Sequence, residues 1–373
     1  VTPSDNARNV KAGAPSGAAR RLDAGYEVRL SERRGVVTAS VASLRAPGAL
    51  RVAEGRPVGE AAGLAGMLFP MSATAQTAAA LAAVESALKL ELAPAQRAAR
   101  RLLVGLEAAA ACAWRMGLLW PQLSAGATNA GPVQDARAAA DAAADALFED
   151  GEWSRIGGGA LRPERERLRE LLDAVAAALA ALAPALDALA PHAPPIAPLQ
   201  GRAWPLLEEA DLEVAAAALA ADASFAARPH LSGRAVEESP RALLKMTRAD
   251  DGLPVWFRAQ ARFAAELPAA LEAARSALAD ADPLSANLKG SGKGWGAAVS
   301  ARGRIVHWIA VERGKVAAWR ALEPTDWNFA PRGPVARAAE LLDPDCDFGE
   351  AGRWVAAAFD PSAPCRIVVD AEG

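Results

Sequence analysis

Cysteine and histidine are scarce, three of each in 373 residues. An odd number of cysteines, Cys112, Cys346 and Cys365, scattered along the chain fits reduced thiols in a cytosol better than a disulfide framework. His192 and His230 each follow a proline, and neither has a Cys or His partner at zinc spacing. Aromatics are only 5% while alanine abounds, so helices here pack through small side chains and gain less burial energy per residue than Leu-rich ones. An excess of one charge is also missing. Lys and Arg total 41 against 44 Asp and Glu, and no basic stripe interleaved with aromatics tracks a phosphate backbone, which argues against nucleic acid. Residues 1–21 have no continuous apolar core, so neither a signal peptide nor a membrane anchor is expected there. The most apolar stretch, 172–189, carries Asp173 and Asp187 and is interrupted by Pro184. A membrane span needs roughly 20 predominantly apolar residues, so this stretch reads as a packed or surface helix kinked at the proline. The expectation is a soluble, cytoplasmic protein without a membrane span.

What is present is a hydrophobic fraction of 52%, enough for one large domain or two ordinary ones. Residues 1–21 are Gly, Ala, Ser, Pro and charge and are expected to be disordered, with 22–373 forming a single domain. Alternation over 26–30, a charged turn at 31–35 and a returning run at 36–41 predict a β-hairpin over 26–41. Helical spacing follows at 74–90, then from Pro94 to about 119, and at 133–148, 163–189, 210–220 and 254–279. The middle, about 74–280, is therefore a helix bundle. Period-two patterning returns at 305–311 and 316–319 around the turn Glu312-Arg313-Gly314-Lys315, a second hairpin within the carboxyl-terminal segment 294–373. The run Ser291-Gly292-Lys293-Gly294-Trp295-Gly296 lacks the first half of a phosphate loop and reads as a flexible lead-in. The fold class is α+β, predominantly helical, with a central bundle and β-hairpins contributed by both chain ends.

Three stretches in the carboxyl-terminal third carry more specific information: Ala301-Arg302-Gly303-Arg304-Ile305-Val306-His307-Trp308, then Glu323-Pro324-Thr325-Asp326-Trp327-Asn328, then Phe359-Asp360-Pro361-Ser362-Ala363-Pro364-Cys365. In that order and at those separations they resemble the end of nickel-iron hydrogenase large subunits. The family pattern there is Pro-Arg-Gly-x-Leu-x-His-Trp, Pro-Ser/Thr-Thr-Trp-Asn, and Asp-Pro-Cys-x-x-Cys-x-x-His. Near the amino end, the run from Ala75 to Glu85 is similar to the helix after the family's first Cys-x-x-Cys. Counting back without gaps puts Phe69 and Ser72 on the two cysteine positions, Gly55-Arg56-Pro57 near the family's Arg-Gly-Arg-x-Pro, and Leu50 where active enzymes carry a proton-relaying glutamate. The resemblance covers 26–119 and 294–368 and implies the large-subunit fold.

The resemblance also implies which chemistry has gone. In the family the first cysteine of each pair binds nickel terminally and the second bridges nickel to iron, soft thiolates suiting both metals. Here the terminal positions are Phe69 and Ser362, and the bridging positions are Ser72 and Cys365. No nickel site of the family type is expected, and one thiolate, Cys365, remains for iron. Arg302 matches the arginine that lies over the iron and its cyanides, and Thr325 the hydroxyl that donates to a cyanide, a charge-assisted contact. The family histidine is Val368 here, and with only 369–373 following, no tail for a maturation protease is expected.

An iron-facing remnant without nickel is similar to the large-subunit-like accessory proteins of hydrogenase operons, the HupK/HoxV group. That resemblance implies a non-catalytic maturation factor, a scaffold or relay for an Fe(CN)2(CO) fragment. Its partners would be the maturation proteins that deliver the fragment and the hydrogenase large-subunit precursor. The alternative is a metal-free chaperone or structural paralogue that contacts those proteins without holding iron. An active hydrogenase would have lost three of four thiolates and the relay glutamate together. The bland readings are a core role for Cys112, a loop role for Cys346 ringed by carboxylates that raise its pKa, a hydrogen-bonded structural role for His307, and an ordinary hairpin role for Arg302.

Overall fold

Alanine runs with leucine at helical spacing satisfy their own backbone and present narrow faces that pack closely. In the computed structural model, which describes residues 25–45, 48–197, 204–247 and 252–370, these runs form the long helices, and there are thirteen α-helices among the described residues. They are α1 Ala61–Leu68, α2 Ala73–Ala87, α3 Pro94–Trp114, α4 Trp120–Leu123, α5 Ala130–Leu147, α6 Arg165–Leu182, α7 Ala185–Leu189, α8 Asp211–Ala221, α9 Pro240–Leu243, α10 Pro254–Ser276, α11 Pro324–Asn328, α12 Pro334–Ala339 and α13 Phe348–Phe359. The strands are β1 Tyr26–Arg33, β2 Val36–Ser43, β3 Gly292–Ser300, β4 Gly303–Glu312, β5 Lys315–Leu322 and β6 Cys365–Val369. The disorder expected over 1–21 lies outside the described residues.

Helices α3, α5, α6 and α10 pack around one apolar core that also takes in β1 and α13. Pro94 occupies the first turn of α3, where its missing N–H has no partner to lose. The helical run expected over 163–189 is two helices, α6 and α7, separated at Ala183-Pro184, as a proline that removes a hydrogen bond requires. Two helical stretches, Pro94–Leu123 and Arg165–His192, are long and apolar enough to cross a membrane by length and composition. Both supply side chains to the bundle core.

Two three-stranded sheets flank the bundle, ordered β2-β1-β6 and β3-β4-β5. Strand β4 is buried on both faces. Ile305, Ile309 and Val311 pack with α2, and Val306, Trp308 and Ala310 pack with α8. His307, on the α2 side, is thereby carried into the interior.

The glycine-rich lead-in is the main correction to the sequence reading. Residues Gly292–Ser300 are strand β3, paired antiparallel with β4 from Gly292↔Val311 to Ser300↔Gly303. Its glycines alternate along the face lying on α2. A Cβ at Gly292, Gly294 or Gly296 would fall 2.0 Å from the Ala87 carbonyl oxygen, 2.3 Å from the Ala87 nitrogen and 2.5 Å from the Ala82 Cβ. Missing side chains let strand and helix backbones touch. The tail also differs from expectation. Strand β6 runs parallel to β1, with Cys365 opposite Tyr26, so the hairpin expected over 26–41 is one part of a sheet closed by residues more than 300 positions away.

Candidate functional site

The loops that carry the family-matched positions converge between the two sheets. Phe69 is the C-cap of α1, and Ser72 precedes α2 after a single 3-10 turn, Pro70–Ser72. Ser362 lies in the loop between α13 and β6, and Cys365 opens β6. Asp360, the C-cap of α13, holds φ 44°, a left-handed conformation that is unfavourable by about 1 kcal/mol for a residue with a Cβ.

Asp360 is held there by charge. Its carboxylate accepts from Arg115 Nη1 at 2.7 Å and pairs with Arg302 Nε at 3.1 Å. Arg302 also donates from Nε to the Asp360 carbonyl at 3.0 Å and from Nη1 to the Met71 carbonyl at 3.3 Å. The arginine matched to the iron-facing position therefore stitches the Ser72 loop to the Ser362 loop, engaging three of its five N–H groups. Arg115, three residues after Cys112, continues the buried stripe of α3 into the π-turn Arg115–Leu119. Its Nη2 also donates to Cys112 Sγ at 3.1 Å, so Cys112 is a core residue with a polar partner that its Ala/Trp surroundings gave no hint of. Burial pushes the Cys112 thiol pKa up, with Arg115 opposing.

A second network crosses the site. Trp319 Nε1 donates to His307 Nδ1 at 3.0 Å, and an indole N–H can only donate. His307 must then carry its proton on Nε2, which donates to Gln76 Oε1 at 2.6 Å. Gln76 Nε2 in turn donates to Glu323 Oε1 at 2.5 Å. Burial pushes the His307 pKa down to about 3, in keeping with a neutral ring. Glu323 Oε2 accepts from Ser362 Oγ at 3.3 Å and pairs with Arg45 Nη1 at 2.8 Å. The Arg45 guanidinium also lies 5.7 Å from the Phe69 ring centroid and 3.1 Å from Tyr26 Oη. Burial alone would lower the Arg45 pKa, but the Glu323 and Asp326 carboxylates hold it above its ordinary value. Thr325 Oγ1 accepts from the Ser362 N–H at 3.0 Å, which leaves its own proton to donate.

Two motif residues have structural partners instead. Arg304 forms a buried ion pair with Glu238 at 2.7 Å, and Asn328 exchanges hydrogen bonds with the Glu238 backbone, donating at 2.5 Å and accepting at 3.1 Å. Gly303, at φ 137°, has no Cβ to collide with the Glu238 carboxylate, which such an atom would approach to 2.6 Å. Glu238 thus ties two of the three motifs together.

Cys365 is half-buried, and burial pushes its thiol up to about 11. It lies on the wall of a cleft of about 650 Å³ together with Met71, Trp114, Asp360, Pro361 and Ile367. Cys346 lies in a turn, its pKa raised by burial and then by Asp343 and Asp347. His192 is exposed, and His230 accepts from the Gly233 N–H. Among the described residues no group of three or more His, Cys, Asp or Glu could hold a metal. Leu50 is buried in an apolar cluster with Val58 and Trp319. The donor set does not fit nickel. Phe69 has no donor atom, and Ser362 is committed to Glu323. Arg45, Gln76, Arg115, Glu323 and Asp360 were missed as site residues because their partners lie far away in sequence.

Residues 254–340 match the family described as nickel-dependent hydrogenase. The chain is 35% identical over 182 residues to the hydrogenase expression/formation protein HupK of Rhizobium leguminosarum bv. viciae, covering 44% of this chain and 46% of that protein. It is 28% identical over 178 residues to the hydrogenase expression/formation protein HoxV of Cupriavidus necator, again covering 44% and 46%. The chain thus spans less than half the length of these curated relatives. The NiFeSe hydrogenase of Desulfovibrio vulgaris Hildenborough superposes with a TM-score of 0.69 over 88% of this chain and 94% of that chain, at 16% identity. The chain has the hydrogenase large-subunit fold, and its curated relatives are those its motifs resemble.

Proposed function

We propose that this chain is a non-catalytic hydrogenase maturation factor that receives an Fe(CN)2(CO) fragment from maturation proteins and passes it to the large-subunit precursor. One observation carries the reading. The two halves of the site differ: Phe69 and Ser362, the nickel-side positions, are engaged by Arg45 and Glu323, while Cys365 on the iron side opens onto the cleft. In this role Cys365 anchors the iron after losing its thiol proton, since a ligating thiol must be deprotonated. The N–H groups of Arg302 not used by Asp360 and Met71, and the free proton of Thr325, supply donors suited to cyanide nitrogens. The fragment is cargo, and no turnover is assigned to the chain. The names of HupK and HoxV support an accessory role in forming hydrogenase.

A second reading, a metal-free chaperone or structural paralogue, draws on the exposed side chains of Met71 and Trp114, which line the cleft together. Exposed apolar side chains grouped on one face suit a protein partner. Infrared spectroscopy of protein purified anaerobically with its maturation machinery separates the two. Carbon monoxide and cyanide stretches that vanish in Cys365→Ala support the relay. Their absence from iron-free wild type, with the large-subunit precursor still captured, supports the chaperone.

A further inference from the structure

We infer that the Arg45 guanidinium is a built-in cation standing in the nickel half of this fold's metal site, closing that half to divalent metals. The inference goes beyond the maturation role and does not depend on iron binding at Cys365.

Position is the first ground. Arg45 lies over the Phe69 ring at 5.7 Å and pairs with Glu323, whose same carboxylate oxygen accepts from Ser362 Oγ. It therefore sits between the residues that replace the two terminal nickel cysteines. Charge is the second. The buried site holds three carboxylates, Glu323, Asp326 and Asp360, and three guanidiniums, Arg45, Arg115 and Arg302. A set of thiolates needs metal ions to balance it, whereas here each guanidinium has a carboxylate partner, Arg45 with Glu323 and both Arg115 and Arg302 with Asp360. Asp326 stands where the family motif has threonine, so one of the two carboxylates facing Arg45 is a departure from the family pattern. Chemistry is the third. Without Arg45, Glu323, Asp326, Ser362 and Tyr26 would present oxygen donors in one place, a set that suits hard divalent cations such as Mn²⁺. The guanidinium fills that place with a planar fork that a carboxylate binds well.

The test uses tag-free full-length protein, thermal unfolding and isothermal titration with Mn²⁺ and Ni²⁺. Wild type is expected to show no saturable rise in Tm with either ion. Arg45→Ala is expected to lose Tm, to regain part of it on adding millimolar ethylguanidinium but not ethylammonium, and to gain saturable Mn²⁺ binding that Glu323→Gln abolishes. If Arg45→Ala folds poorly, the yield of folded protein refolded with and without ethylguanidinium provides the same comparison. A folded Arg45→Ala that neither binds Mn²⁺ nor responds to ethylguanidinium would overturn the inference, as would wild type binding either ion as tightly as the variant. So would a refolding yield that ethylguanidinium leaves unchanged.

Discussion

Trp319 donates its indole N–H to Nδ1 of His307 at 3.0 Å, and this bond sets the direction of every hydrogen bond that follows to Glu323. A tautomer is usually inferred from several competing partners. Here a donor-only neighbour fixes it, and the chain of donors ends on the carboxylate that holds Ser362 and Arg45.

The pH dependence of stability follows. Burial places the His307 pKa at about 3 against 6.5 in the unfolded chain, so below pH 6.5 the unfolded state takes up a proton the folded state does not. The histidine contribution is complete above pH 6.5 and is lost as pH falls toward 3, at about 1.4 kcal/mol per pH unit. Asp326, pushed up to about 7 by burial and then by Glu323, acts with the opposite sign between 3.8 and 7. The histidine effect is therefore read as a difference. Chemical denaturation of wild type and His307→Gln between about pH 6 and pH 4 is expected to give a variant profile whose slope differs by about one proton. Parallel profiles would contradict a neutral His307.

Asp360 is the most heavily loaded carboxylate of the site, balancing Arg115 and Arg302 at once. Asp360→Ala leaves two buried guanidiniums without their counter-ion, a class of change that destabilises by about 3–5 kcal/mol. Urea unfolding is expected to show that loss. Removing Arg302 as well, as Arg302→Met, should recover part of it, because fewer uncompensated charges then remain. A fully additive double variant would mean that the two residues do not act as a pair.

The glycines of β3 give a matched test. Gly294→Ala places a methyl 2.3 Å from the Ala87 nitrogen and should destabilise by about 1–3 kcal/mol or more, because the obstacle is backbone. Gly63→Ala, inside α1 with nothing within 4 Å of the new atom, should be neutral or stabilise by up to about 1 kcal/mol. Melting temperatures of the two variants beside wild type decide it. A tolerated Gly294→Ala would mean that strand and helix are not in backbone contact.

Thiol labelling ranks the cysteines. Cys112 is buried, while Cys346 and Cys365 are half-exposed. Peptide mass spectrometry after limited iodoacetamide treatment is expected to find Cys346 and Cys365 modified in the native protein and Cys112 only after unfolding. Modification of Cys112 in native protein at the rate of the other two would contradict its place against Arg115.

How much of this was legible in the sequence depended on the range of the interaction. Helices α2, α3, α5, α8 and α10 followed from apolar spacing and from Pro94, all local signals. Strand β3 was misread because glycine was taken as freedom, whereas Gly292, Gly294 and Gly296 recur at the period of a strand and mark one face. That spacing was the available signal. The family-matched residues Phe69, Arg302, Thr325 and Ser362 were named from motifs, but their partners were not. Arg45 meets Phe69 across 24 positions, Asp360 meets Arg302 across 58, and Gln76 meets Glu323 across 247, and no local pattern encodes which buried arginine will meet which carboxylate. Asp360 lies inside the third motif, where nothing local marks it as the partner of Arg115 and Arg302.

The parallel pairing of β6 with β1 sets a schedule for synthesis. Cys365 is made 339 residues after Tyr26, which it faces, and the strand extends to Val369. Until then β1 and β2 form a ribbon with one open edge, and the Ser362 loop has no β6 to anchor it. The cleft can therefore take its final shape only after every helix between β1 and β6 has been made, so its assembly waits on the longest-range pairing in the fold.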